Sequence, residues 1–352
     1  MNKLFFFVLL ALAIVSGCSK KSSTTTPGGT DTTGNSNNPP VSFAGNYIMA
    51  TNDASRKIEL YDPVVDDWNK PEAKIWSWAP AVALGFSTQE VNSFGGGTDV
   101  KLRHVKAWHD STFIAVTDNG MAAIVPYPAG TKKWSMLLSG NVHSAELLPN
   151  GNIAVAASDG NWVRVYASSQ GPNTGTYAQY DLNQAHAALW DSLNNVLWVI
   201  GQDPATLVHI LTALTIGGTA DSPTLTEDMT RRSVLPSVWG HDVTPFYGDM
   251  NRLWVSTNSA AYVYNKTTKT FVVAPGIANR IFVKAISNQV SGQIVETQPD
   301  ANKSPRPPVN CSLNDWSTST VEFYSSNGTL QGSRVINGAC VYRAHVFTDK
   351  YQ

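Results

Sequence analysis

The stretch VHSAELLPNGNIAVAA, residues 142–157, places two apolar runs of strand length on either side of a Pro-Asn-Gly-Asn turn. Two such runs around a tight polar turn predict a β-hairpin. The same order, with a histidine near the start of the first run, returns at residues 186–200 and 241–257. A third strand-like run follows each hairpin, at 162–166, 207–211 and 261–264. The sequence therefore predicts a repeat built from short strands.

The repeat extends towards both ends of the chain. Its equivalent positions are 105, 143, 186, 241, 283 and 342, and four short strands per about 40–50 residues are typical of a β-propeller blade. The N-terminal strands at 47–50, 57–61 and 74–78 lack a first strand, which the lone C-terminal strand at 342–347 supplies. We therefore predict an all-β, six-bladed β-propeller over residues 44–352, in which the C-terminal strand closes the first blade. A seventh blade would need a further repeat inside 79–102 or 216–240, and both have the composition of loops.

The composition limits the classes of function. With 25 Lys+Arg against 26 Asp+Glu, the 352-residue chain lacks the basic excess that a nucleic-acid binder needs to neutralise phosphates. A hydrophobic share of 42% excludes wholesale disorder. The 11 tryptophans suit a packed core and also surfaces on which sugar rings stack.

The N-terminus has the pattern of a bacterial lipoprotein signal. Lys3 precedes an unbroken apolar run at 4–15, which is too short to span a bilayer and is typical of a signal peptide. Val15-Ser16-Gly17-Cys18 then matches a lipobox. We therefore predict a signal peptide over residues 1–18, after which a lipidated Cys18 becomes the mature N-terminus. The alternative is an ordinary secreted protein that is cleaved near Gly17.

Residues 19–43 predict a flexible tether, because Ser, Thr, Pro, Gly and Asn dominate them. We expect a bacterial envelope protein that contacts the membrane through its lipid anchor only. In Bacteroidetes lipoproteins, acidic residues soon after the cysteine resemble a surface-export signal, whereas Lys20-Lys21-Ser22 stand here. The sequence therefore favours the periplasmic face over the cell surface. A closed ring needs no partner to cover its edges, so we expect a monomer.

A column of histidines marks one end of the predicted channel. Because the first strand of each blade lines the channel, equivalent positions near its start face one another. That column reads Val105, His143, His186, His241, Val283 and Tyr342, and the next column reads Lys106, Ser144, Ala187, Asp242, Lys284 and Arg343. We therefore predict a channel mouth at which three imidazoles face three cations.

Three roles are open for this mouth. In the first, His143, His186 and His241 bind one divalent metal with an open coordination position, while Lys106, Lys284 and Arg343 hold an anionic substrate such as a uronate. In the second there is no metal, and a histidine acts as general base or all three hydrogen-bond sugar hydroxyls or a carboxylate. In the third, the polar groups only satisfy one another and channel water.

Three long segments, 79–102, 216–240 and 299–317, are predicted loops that gather on the mouth face, where loops on a rigid scaffold often form a site. They carry Phe86, Trp239 and Trp316. Cys311 and Cys340 are candidates for a disulfide in an oxidising envelope. The sequence does not fix the distance between them, so their pairing stays open.

The remaining polar residues are predicted to be structural. We expect a satisfied carboxylate at Glu146 and a histidine packed between blades at His209. The histidines off the column are predicted to be surface or inter-blade residues: His104, His109 and His345. Gly95-Gly96-Gly97 is predicted to be a flexible loop and not a phosphate cradle, because no helix start or Lys-Ser/Thr follows it.

The histidine repeats, with Gly240-His241-Asp242 and Tyr342-Arg343-Ala344, resemble those of a family of Bacteroidetes lipoproteins of unknown function that are predicted to be six-bladed propellers. That resemblance implies the fold and the bacterial envelope, and no activity. A looser similarity is to propeller polysaccharide lyases of the oligogalacturonate-lyase kind, which use a histidine cluster with a metal at the channel mouth.

The leading hypothesis is an envelope-tethered propeller that binds a glycan or other small polar or anionic ligand at the channel mouth. One alternative is a metal- or histidine-dependent lyase or hydrolase of acidic oligosaccharides. The other is a scaffold that binds a second envelope protein.

Overall fold

The computed structural model describes residues 45–109 and 111–351. In this part of the chain, six four-stranded antiparallel sheets confirm the predicted all-β, six-bladed propeller. The predicted signal peptide 1–18, with Cys18, and the tether 19–43 lie outside the described residues. Among the described residues, no helix has the length and the apolar character needed to cross a membrane.

The first three blades follow one another from the N-terminus. Blade 1 contains β1 (Ile48–Asn52), β2 (Lys57–Tyr61), β3 (Lys74–Trp78) and the last strand of the chain, β24 (Val341–Val346). Blade 2 contains β4 (Asp99–Val105), β5 (Ser111–Asp118), β6 (Met121–Pro126) and β7 (Trp134–Leu137). Blade 3 contains β8 (Val142–Leu147), β9 (Ile153–Ala157), β10 (Trp162–Tyr166) and β11 (Tyr177–Asp181).

The other three blades repeat this meander. Blade 4 contains β12 (Asn183–Asp191), β13 (Val196–Gln202), β14 (His209–Gly218) and β15 (Pro223–Val234). Blade 5 contains β16 (Gly240–Pro245), β17 (Arg252–Thr257), β18 (Ala261–Asn265) and β19 (Thr270–Val273). Blade 6 contains β20 (Ala285–Asn288), β21 (Ile294–Thr297), β22 (Thr320–Tyr324) and β23 (Leu330–Val335).

Helical structure in the described residues is confined to short pieces. The helix α1 (Thr88–Ser93) precedes blade 2, and its N-terminus carries a capping box between Ser87 and Glu90. Single 3-10 turns lie at Pro71–Ala73, Val82–Leu84, Lys106–Trp108, Ser168–Gln170, Gly276–Ala278 and Asp300–Asn302.

The C-terminal strand closes the ring as predicted. β24 pairs antiparallel with β1, and the register aligns Ile48 with Val346 and Ala50 with Ala344. Aromatic rings pack between neighbouring blades, such as Trp198 of blade 4 against Tyr264 of blade 5, at 5.7 Å between centroids. The buried tryptophans therefore serve the inter-blade core.

Two sequence predictions are wrong about local structure. The first strand of blade 2 is β4, whereas the predicted strand at 105–108 is largely a 3-10 turn that leaves Lys106 exposed. In β4, charged residues alternate with apolar ones, so its polar face lines the channel. The predicted loop 216–240 is instead mostly β-structure, because β14 and β15 form a long hairpin that turns at Thr219–Ser222.

Arg343 fills the centre of the channel. Its guanidinium is 0% exposed and donates hydrogen bonds to the backbone carbonyls of His143 (3.1 Å), His186 (3.3 Å) and His241 (2.5 Å). It therefore ties blade 1 to blades 3, 4 and 5. The prediction that Arg343 faces a ligand at the mouth is wrong, because these contacts hold its donors inside the ring.

Further ion pairs fill the channel around this arginine. Asp99 and Asp242 lie 3.7 and 3.6 Å from the Arg343 guanidinium. His345, predicted to be a surface or inter-blade residue, instead points into the channel, and its Nε2 lies 2.7 Å from Asp242. Lys101 forms an ion pair with Asp99, and Arg103 forms one with Glu146. The second pair confirms that Glu146 is a satisfied carboxylate.

Replacing Arg343 is expected to destabilise the protein strongly. Arg343→Met leaves three carbonyls without this donor and removes the positive charge beside Asp99 and Asp242, a loss that typically costs about 3–5 kcal/mol. Arg343→Lys keeps the charge but reaches fewer carbonyls, so its loss is expected to be smaller. Urea unfolding followed by circular dichroism measures both losses. Arg306→Met, in an exposed loop, is the matched control, and equal stability of the Arg343 and Arg306 variants would contradict this role.

Candidate functional site

A cavity of about 390 Å³ lies at one end of the channel, above Arg343. Its lining combines imidazoles, one lysine, two carboxylates, amides and two aromatic rings. The lining residues are Asp53, Gly95, Thr98, Asp118, Asn119, Asn141, His143, His186, His241, Lys284, Trp316 and Tyr342. A concave site with a few convergent polar groups is the usual form of a small-molecule site.

Five of these side chains form a continuous arc. The rings of His143 and His186 stack at 4.2 Å between centroids, and His241 meets His186 edge-on at 5.6 Å. Lys284 Nζ lies 3.1 Å from His241 Nε2 at one end, and Tyr342 Oη lies 3.4 Å from His143 Nδ1 at the other. The structure thus brings the three predicted histidines and Lys284 together in one cavity.

A repeated backbone feature aims the arc into the cavity. The residue two positions before each histidine and before Lys284 has a positive φ: Asn141 (58°), Gln184 (54°), Trp239 (62°) and Phe282 (55°). For residues other than glycine this left-handed conformation costs roughly 1–2 kcal/mol. The shared kink places Lys284 in the same column as the histidines, where the sequence had predicted Val283.

The three imidazoles are held neutral. Burial lowers the pKa of His186 to about 4, with a smaller contribution from the positive charge of Arg343. Burial likewise lowers the pKa of His143 and His241 well below the ordinary value, helped by the charges of Arg343 and Lys284. At neutral pH these rings are therefore polar groups that carry no charge.

Lys284 differs from the other buried lysines. Lys101, Lys132, Lys266 and Lys303 each pair with a carboxylate. Among the described residues, Lys284 has no carboxylate within ion-pair distance, and its amine faces His241 instead. Burial and the nearby charge of Arg343 lower its pKa to about 8. The cavity therefore holds a cation without a counter-charge.

Two carboxylates that the sequence analysis did not single out, Asp53 and Asp118, also line the cavity. Asp118 Oδ2 accepts hydrogen bonds from the backbone N–H groups of Gly95, Gly96 and Gly97. The triglycine segment is therefore an ordered cradle for a carboxylate and not the predicted flexible loop. Burial, with the charge of Asp118 second, raises the pKa of Asp53 to about 6.

The loop between β21 and β22 brings Trp316 to the rim. Asn314 and Ser317, which flank Trp316, both donate hydrogen bonds to Asp53 Oδ2. Cys311 in this loop and Cys340, next to β24, form a disulfide, so the pairing that the sequence left open is present in the structure. The Trp316 side chain is held at the cavity while 56% of it stays exposed.

The arc does not have the geometry of a metal centre. His143 and His186 lie in nearly parallel planes, and His241 Nε2 is already within 2.5 Å of Asn258 Oδ1. No group of three acidic, histidine or cysteine side chains among the described residues is arranged to hold a metal ion. The adjacent cations Lys284 and Arg343 would also repel one, so these residues do not fit a metal.

The other predicted positions fall outside the cavity. Lys106 lies exposed on a 3-10 turn, and Phe86 packs against Trp78 in the core. His209 is buried against Trp239, consistent with its predicted packing. Of the three predicted long loops, the segments around Gly95 and Trp316 reach the cavity lining.

The fold and the cavity define the chain as a six-bladed β-propeller protein with a polar pocket at one end of a plugged channel. Its sequence matches the family of unknown function DUF6528 over residues 1–299, and the chain belongs to this family. A solved structure of a protein of unknown function from Bacteroides caccae is similar, with a TM-score of 0.54 and 10% identity, covering 86% of this chain and 98% of that one. At this identity the likeness shows the fold alone. No curated protein matches the chain.

Replacing Asp53 by asparagine is expected to stabilise the protein at about pH 7.5. The raised folded-state pKa means that the folded form holds this proton more tightly than the unfolded form, so the stability it contributes is lost as pH rises from 3.8 through about 6. Asp53→Asn removes this loss, and its single amide oxygen can accept both loop hydrogen bonds. We expect a gain of about 1–3 kcal/mol in urea unfolding. The gain should vanish below about pH 4, and an equal gain at both pH values would contradict this explanation.

Proposed function

We propose that this protein is an envelope-tethered lipoprotein whose propeller binds a glycan or other small polar ligand in the mouth cavity. The observation that carries the proposal is the cavity lining, in which an exposed tryptophan at the rim stands beside neutral imidazoles, amides and carboxylates. An aromatic face can stack on the apolar face of a sugar ring, while the polar groups exchange hydrogen bonds with its hydroxyls.

The strained backbone of the arc supports a binding role. Positive φ values at four equivalent residues cost free energy in the folded state and aim polar side chains into open space. Buried polar groups that only stabilise a fold are normally satisfied by one another. His241 Nδ1 is instead buried without a hydrogen-bond partner. The arc is therefore not fully satisfied by its own hydrogen bonds.

A second candidate function is a lyase or hydrolase of acidic oligosaccharides that uses a histidine base and no metal. The observation that favours it is the tautomer of His186. Its Nδ1 donates a hydrogen bond to the carbonyl of Gln184 at 2.8 Å, so Nε2 is left as a proton acceptor. The free lone pair of a neutral imidazole in a ligand cavity can accept a proton from a substrate.

Calorimetric titration of the purified protein with galactose, N-acetylglucosamine, galacturonate and a galacturonate trisaccharide tests the binding proposal. We expect at least one sugar to bind, and Trp316→Ala to weaken that binding by about tenfold or more through loss of stacking. Leu313→Ala, an exposed change in the same loop, is the matched control. Absence of binding across the panel, or unchanged binding by Trp316→Ala, would contradict the proposal.

The enzymatic candidate has a separate readout. If His186 is a base, the trisaccharide is cleaved by the wild type, and His186→Ala loses turnover while keeping its melting temperature. The exposed His104→Ala serves as the control. Binding without any cleavage product leaves the protein as a binder and removes the enzymatic candidate.

A further inference from the structure

The Lys284 amine is partly buried at the wall of the cavity, and no carboxylate among the described residues neutralises it. The four lysines compared above show how this chain otherwise treats a lysine removed from water, since each has a carboxylate partner. Leaving a charge without a partner in a partly desolvated place is costly. Such a cost is expected where a bound ligand brings the missing charge.

The groups around Lys284 do not supply that charge. His241 Nε2 lies 3.1 Å from the amine, and His186 and His143 follow along the arc. Arg343, beneath the arc, is the charged group that acts on Lys284. Lowered pKa values keep the imidazoles neutral, and the arginine is a further cation. The potential at this side of the cavity is therefore positive, and it attracts an anionic group.

The part of the same cavity that blades 1 and 2 form has the reverse character. Asp53 and Asp118 accept hydrogen bonds there, and Asn119, next to Asp118, offers an amide. These groups suit hydroxyls and would repel a second anionic group. The ligand that fits both sides carries one anionic end and one polyhydroxylated end, with a ring between them that can stack on Trp316.

We infer that the ligand of the mouth cavity is an acidic sugar of the uronate class, whose carboxylate pairs with Lys284 while its hydroxyls contact the Asp53 side. This inference rests on the proposed function and names the substrate class of the same site. A charge-assisted hydrogen bond from the Lys284 ammonium to the carboxylate supplies the discrimination against a neutral sugar.

Galacturonate and galactose provide the test, because they differ only by a carboxylate in place of a hydroxymethyl group. We expect the wild type to bind galacturonate at least about tenfold more tightly than galactose near pH 7. Lys284→Met should abolish that preference while keeping the weak binding of galactose. Lys284→Arg should keep the preference, and the exposed Lys106→Met should leave it unchanged.

Proton uptake gives a readout that a merely structural lysine would not show. At about pH 9 the Lys284 amine is largely neutral, and a bound carboxylate favours the ammonium form, so binding takes up close to one proton. The imidazoles stay neutral and Arg343 stays charged over this range. Calorimetry in buffers of different ionisation enthalpy measures the uptake, which should be absent in Lys284→Arg because an arginine stays charged.

The outcomes separate this inference from the proposed function. If galactose and galacturonate bind equally, or if Lys284→Met keeps the preference, the acidic-sugar inference is wrong while the binding proposal stands. If neither sugar nor any other member of the panel binds, the binding proposal itself fails. Acetate should compete only at far higher concentration than galacturonate. Equal competition would overturn the sugar assignment and leave a plain carboxylate site.

Discussion

Arg343 lies where the inner strands converge, and its guanidinium donates to the backbone carbonyls of three other blades. The strand that carries it is also the one that closes the ring, so closure and the central contact depend on the same six residues, β24. The carbonyls it holds belong to His143, His186 and His241. One buried cation therefore fixes the backbone from which the side chains of the mouth project.

The same charge sets the chemistry above it. Arg343 adds to burial in lowering the pKa of Lys284 and of the imidazoles. Below the mouth its charge is balanced by Asp99 and Asp242. Above it, Lys284 has no such partner among the described residues. The charges inside the channel are thus balanced, whereas the positive charge of Lys284 at the rim is not. This unbalanced charge lies at the wall of the mouth cavity.

Several features of the mouth work against stability. Four non-glycine residues adopt left-handed conformations, a lysine lacks a counter-charge, and Asp53 is held partly desolvated beside Asp118. Left-handed residues also occur elsewhere in the ring, as at Leu207, but at the mouth they coincide with an unpaired lysine and a desolvated carboxylate. Conflicts of this kind gather at functional sites, because selection for function can maintain what selection for stability would remove.

The repeat in the sequence was enough to predict the propeller, its closure and the cluster of three histidines, because each depends on short-range pattern and on register. The sequence does not predict the first strand of blade 2, because the alternating charges of β4 are typical of a surface segment. The role of Arg343 was also missed, because sequence does not distinguish a central buried cation from one at the rim. A pattern in the sequence does point to Asp53 and Asp118. An acid or an amide recurs at the end of the second strand of a blade, as at Asn258.

A crystal structure of the protein with galacturonate near neutral pH tests the central claim most directly. We expect electron density for the sugar in the mouth cavity, with its carboxylate within hydrogen-bond distance of Lys284 Nζ and its ring against Trp316. Density in another groove, or a sugar in the cavity with its carboxylate turned away from Lys284, would contradict it.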